Sequence, residues 1–138
     1  LGVVPRRLLS WRDHPDRLSR RSAHCSIDSI TRCKAAYLAR GFLAGSDGYI
    51  LWGFGGTGKA LRRALAEHGC RPSHIVELHP RRLGECIQGA PVIPPGELAA
   101  LAKAPLVVSV AGSVPRSEIR AFLAAIGYRE LVDFVCAA

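Results

Sequence analysis

Apolar and polar positions follow two different periods from Tyr49 to Ala138. "YILWG", "HIVEL", "APVI", "LVVSVAG" and "DFVCA" are short apolar runs closed off by Gly, Pro or polar residues, the pattern of buried strands. Between them the spacing is helical. In "GKALRRALAEHG" the residues Leu61, Ala64 and Leu65 share one face and Gly69 stops the helix. "GELAALAK" has the same character over a shorter length. In "PRSEIRAFLAAIGY" Ile119, Phe122, Leu123 and Ile126 fall at i, i+3, i+4 and i+7, and Pro115 suits the first turn. Strands joined by helices need right-handed crossovers, which predicts an α/β fold: a three-layer, open, parallel sheet of about five strands. "LVVSVAG" is apolar enough to be covered on both faces. The expected order is 3-2-1-4-5, with the chain reversing direction across the sheet at the first strand.

The front of the chain has another texture. Residues 1–48 form an Arg-rich arm without a convincing strand, and "GFLAGSDGY" breaks it from residues 49–138. One helix is predicted in the arm, Ile27 to Arg40, with Ser26 as N-cap and Gly41 as its stop. Its apolar stripe is Ile30, Cys33, Tyr37 and Leu38. The arm holds too little apolar surface to close a core, so this helix must pack on the second region or on a part of a larger protein.

Composition narrows the class. A chain of 138 residues with 49% hydrophobic and 22% charged residues builds one domain, or a small domain with an appendage, rather than a disordered segment. Its longest apolar run is far shorter than the roughly 20 residues of a membrane span, and no signal-peptide layout opens it, so a cytoplasmic protein is expected. The five cysteines are scattered without a C-x-x-C pair, which predicts reduced, mostly buried packing residues. The net charge of +8 raises a nucleic-acid partner, but the arginines of "PRRLLSWRDHPDRLSRRSAH" alternate with acids and apolar residues and few aromatics offer stacking surfaces. A small phosphate-bearing ligand or a solvated face explains the charge equally well, and no nucleic acid is expected.

The stretch "YILWGFGGTGKAL" concentrates the candidate chemistry. As G-x-x-x-x-G-K it approaches a triphosphate-binding loop, yet Ala60 stands where a Ser or Thr hydroxyl must hold magnesium, and "LVVSVAG" ends without the second metal ligand. As G-x-G-x-x-G it is the turn of a dinucleotide-binding unit. Gly53 then permits the tight turn, Gly55 the approach of a pyrophosphate, and Gly58 close packing of helix on strand. Phe54, Gly56 and Thr57 complete the loop. An acid about 20 residues further on should hold a ribose hydroxyl, and Glu77 stands at the tip of the second strand. His79 follows it near a ribose or adenine, and Arg81 and Arg82 stand where a 2′-phosphate would want a cation. Ser109 and Gly112 lie at the carboxyl end of the central apolar strand, the edge on which open α/β sheets bind ligands. A methyltransferase reading fits the same layout less well, because Leu51 and Trp52 occupy the place of its usual acid. No Ser-His-Asp arrangement and no His/Cys spacing for a metal is present, so no catalytic residue is assigned.

Beyond these motifs, "LLSWRDHPDRLSRRSAHCSIDSITRCKAAYLARGFL" resembles the segment after the catalytic core of bacterial family 2 glycosyltransferases. "ILWGFGGTGKAL", "PSHIVELHPRRLG", "IQGAPVIPP" and "DFVCAA" resemble a small Rossmann-like C-terminal module attached to some of those enzymes. The "GAPVIPP" pattern is also similar to sugar-modifying Rossmann modules and coenzyme A-binding domains. The resemblance implies the C-terminal portion of an enzyme that moves a sugar from a nucleotide sugar to an acceptor hydroxyl. It implies an N-terminal glycosyltransferase domain as partner, which would bring the D-x-D motif, a divalent metal and the catalytic base, none of which lies in this chain. Arg12 and His14, of the R-x-H-P element, would reach the diphosphate of the nucleotide sugar. NAD(P), coenzyme A or another nucleotide is the expected ligand, and self-association into a homo-oligomer is compatible with the pattern. The alternatives are a stand-alone regulatory module for the same nucleotides and a structural remnant without a ligand.

Overall fold

A computed structural model describes residues 14–17, 22 and 25–138. Its elements are α1 (Ile27–Arg40), β1 (Tyr49–Trp52), α2 (Gly56–Ala66), β2 (Pro72–Val76), β3 (Cys86–Ile87), β4 (Ala90–Ile93), β5 (Leu106–Val108), α3 (Ser113–Ala125) and β6 (Phe134–Cys136). Every residue of β1 is buried, as a strand in the middle of a covered sheet must be. It pairs in parallel with β2 on one side and β5 on the other; β4 extends the sheet beyond β2, and β6 beyond β5. The parallel strands thus run β4-β2-β1-β5-β6, the 3-2-1-4-5 order that the pattern predicts.

The sheet differs from the expectation in one respect. It is mixed and six-stranded, because β3 pairs antiparallel with β4 at the edge. Gln88 and Gly89 make the connecting turn with φ of 51° and 88°, the left-handed pair that a two-residue hairpin requires. Asn or Asp would have advertised this turn; Gln did not.

Alternation along the strands sends side chains to two separate cores. Leu51, Ile75, Val92 and Val107 face one way, against Leu61, Ala64 and Leu65 of α2. Ile50, Trp52, Val76, Leu106, Val108 and Phe134 face the other, against Ile119 and Leu123 of α3. The arm helix joins the first core through Ala35, with Leu38 and Ala39 packed beside it, and Leu43 follows from the turn after the helix. Its ends are as predicted: Ser26 Oγ accepts from the Ser29 amide at 3.1 Å, and the Gly41 amide donates to Tyr37 O at 3.0 Å. Its face is not. Ile30 and Tyr37 are 45% and 71% exposed and Cys33 is exposed, because the helix faces the core with Ala35, Leu38 and Ala39, and alanines carry little weight in a count of apolar spacing.

Three further expectations are corrected. The stretch "GELAALAK", Gly96 to Lys103, read as a helix, holds only a 3-10 helix, Pro95–Ala100, capped by Pro94 and Leu101. The α2 helix begins at Gly56 rather than Gly58, which places more of the glycine loop inside its first turn. The cysteines are free but not mostly buried: Cys33 and Cys86 are exposed, and Cys25, Cys70 and Cys136 are half-buried. Among the described residues no helix is long and apolar enough to cross a membrane.

Candidate functional site

At the carboxyl end of β1 the chain must turn sharply to enter α2 without leaving the sheet. Gly53 does so with φ of 92°, and a Cβ there would stand 2.7 Å from Val110 Cγ2. Its amide donates to Val76 O at 2.9 Å, so the turn hangs from β2. Gly58 lies one turn later, where any Cβ would overlap the carbonyl oxygen of Gly53 and press on Ser109 Oγ. These two glycines are required by packing. Gly55 is different: it is the N-cap of α2 in an extended conformation, and a Cβ there would meet no atom within 4 Å. No side chain caps this helix, which leaves its first amides directed at open space with the positive end of the helix dipole.

Glu77 follows β2 directly, its own amide held by Ile93 O at 3.1 Å. Its carboxylate accepts from the Phe54 amide at 3.1 Å and the Leu78 amide at 2.9 Å, and Arg82 approaches at 3.5 Å. Arg82 Nη1 in turn donates to Phe54 O at 2.6 Å. Phe54 is therefore clamped at both its amide and its carbonyl, while the Arg82 and Lys59 cations each lie 5.7 Å from its ring centroid. Lys59 is committed to that ring and is not among the residues that line the cleft.

A cleft of about 380 Å³ opens over this loop, lined by Gly53, Phe54, Gly55, Gly56, Thr57, Glu77, His79, Arg82, Ser109, Val110 and Ala111. Nine of the residues singled out in the sequence meet there: Gly53, Phe54, Gly55, Gly56, Thr57, Glu77, His79, Arg82 and Ser109. Ser109 is buried, and its hydroxyl donates to Gly53 O at 2.7 Å, with Trp52 O 3.0 Å away. It fastens the glycine turn to β5. Gly58 and Gly112 shape the site from outside the cleft: Gly58 lies beneath the loop, and Gly112, with φ of 96°, turns the chain into α3. His79 caps the short 3-10 turn Pro80–Arg82, its Nδ1 accepting from the Arg81 amide at 3.3 Å. Arg82 is read from the sequence as a cation for a 2′-phosphate; Val110 and Ala111, read only as strand, are the additions. His14 is exposed in a short turn closed by the Arg17 amide on His14 O at 3.2 Å and does not line the cleft; Arg12 lies outside the described residues.

Chemically the cleft offers unpaired helix amides, a guanidinium, a carboxylate and an imidazole over the ends of parallel strands. Among the described residues there is no group of three or more His, Cys, Asp or Glu that could hold a metal. No family model, curated protein or solved structure matches the chain.

Proposed function

We propose that this chain is a Rossmann-like nucleotide-binding module, the C-terminal portion of a family 2 glycosyltransferase, working in the cytoplasm without catalytic residues of its own. The observation that carries the binding is the division of labour in the glycine loop. Gly53 and Gly58 are demanded by the turn and the helix packing, whereas Gly55 has no packing reason to lack a side chain and stands open at the N-terminus of α2. A pyrophosphate laid on the Gly55–Thr57 amides gives that opening a use. The loop sits where the strand order reverses, beside β1, which is where open α/β sheets take their ligands.

A triphosphatase mechanism is not supported by the same residues. Ala60 offers no hydroxyl to magnesium, and Lys59 is turned onto the Phe54 ring. The second reading, a regulatory module for NADP or coenzyme A, is favoured by Arg82, which brings an extra cation into the cleft beside Glu77.

Calorimetry with NAD, NADP, coenzyme A and UDP, with and without magnesium, tests the proposal. Gly55→Val is expected to fold, since its side chain meets nothing, and to abolish binding. Lys59→Ala should weaken binding only about fivefold, the effect of an exposed charge near a phosphate. Binding by Gly55→Val as tight as that of the parent would sink the assignment, and an absolute need for Lys59 and magnesium would return the loop to the triphosphatase class.

A further inference from the structure

The cleft does not end at Gly53. On the α3 side of that residue a smaller slot of about 90 Å³ continues from it, and the two share Gly53, Glu77 and Val110. The lobes differ in chemistry. The larger one holds Arg82 and His79 over the α2 amides and suits phosphates. The slot is walled by Val76, Leu78, Val110, Pro115 and Ile119, with no cation among its lining residues and Glu118 among them. Leu78, which lines the slot, is 70% exposed, so a large apolar side chain is presented to whatever enters. Glu118 stands on the first turns of α3 with no hydrogen bond or ion pair among the described residues.

Resting on the nucleotide reading above, we infer that the slot takes the base and that Glu118 selects a purine that donates from an amino group, adenine or guanine, over uracil. Apolar walls receive a flat ring by its faces and edge. The carboxylate then decides which ring, because a carboxylate only accepts hydrogen bonds. The amino group of adenine, or the paired N–H donors of guanine, meet it favourably. Uracil turns two carbonyl oxygens toward the same edge on either side of its single N–H, and these are repelled. A charge-assisted hydrogen bond made by one base and refused by another separates them by roughly tenfold or more.

The test is calorimetry on the full chain with ADP, GDP and UDP, for the parent, Glu118→Gln and Gly55→Val. Glu118 is exposed, so its variant folds. The expected result is that ADP or GDP binds at least about tenfold tighter than UDP, and that Glu118→Gln narrows the ratio, since the amide can donate to a uracil carbonyl where the carboxylate cannot. Equal binding of the three diphosphates, or a ratio unmoved by Glu118→Gln, overturns the inference; if Gly55→Val still abolishes binding in that case, the phosphate site stands without it. Failure of every diphosphate to bind the parent overturns both.

Discussion

The glycine loop separates two roles that one residue type can play. Gly58 and Gly55 are three positions apart in the same helix start, yet a methyl group at Gly58 collides with the Gly53 carbonyl and Ser109, and at Gly55 it enters empty space. Gly58→Ala should therefore cost about 1–3 kcal/mol of stability through overpacking, and Gly55→Ala less than about 0.5 kcal/mol, measured by urea unfolding. Equal losses would mean that the loop is held together differently from the geometry described. Ser109→Ala belongs with Gly58. The Trp52 carbonyl keeps the Ser109 amide at 2.9 Å, but the Gly53 carbonyl loses its hydroxyl donor, and about 1 kcal/mol should go with it.

Between elements, the tie of α3 to the segment before β6 is electrostatic and exposed to pH. Arg120 grips both oxygens of Glu130 at 2.8–2.9 Å, and Asp133 accepts from the Arg129 amide at 2.8 Å with Lys103 3.5 Å away. The Arg120 hydrogen bonds hold the Glu130 carboxyl below its usual range, and the Arg129 amide does the same for Asp133. Both groups release protons more readily folded than unfolded, so their stabilisation is complete above the ordinary carboxylate range and fades as acid passes through the lowered values. The melting temperature should fall on acidification below about pH 4.5, and Asp133→Asn should lower it at pH 7 while flattening that fall; an unchanged acid limb would remove Asp133 from the account. How far such elements can be read in advance depends on what holds them. The order of the parallel strands was legible because apolar runs such as Leu106–Val108 leave no choice of neighbours, and Ser26 and Gly41 bound α1 by local chemistry alone. The β3–β4 hairpin was not, since its turn rests on Gln88 in an unfavoured conformation that only the β4 pairing and Gly89 impose. Site residues divide in the same way. Glu77 and the glycines follow from spacing, whereas the inward turn of Ser109, the clamp of Arg82 on Phe54 and the slot beside Glu118 exist only once β1, β2, β5 and α3 converge.

For the molecule as a whole, the site is built from parts of unequal depth. Its floor continues directly from β1, which is buried along its length and hydrogen-bonded on both sides. Its far wall, Pro80–Arg82, is an exposed 3-10 turn that leads into the edge hairpin. Structures open from their least protected regions. Amide hydrogen exchange should accordingly find Ile50–Trp52 among the slowest positions in the chain and the stretch from Arg82 to Gly89 well ahead of them; equal protection of the hairpin and β1 would contradict this. Arg82 clamps Phe54 from that yielding side, so under the nucleotide binding proposed above this latch would let go first, while the start of α2 stays in place. On that proposal the residence time of a nucleotide would be set at the margin of the sheet, and its place of binding at the centre.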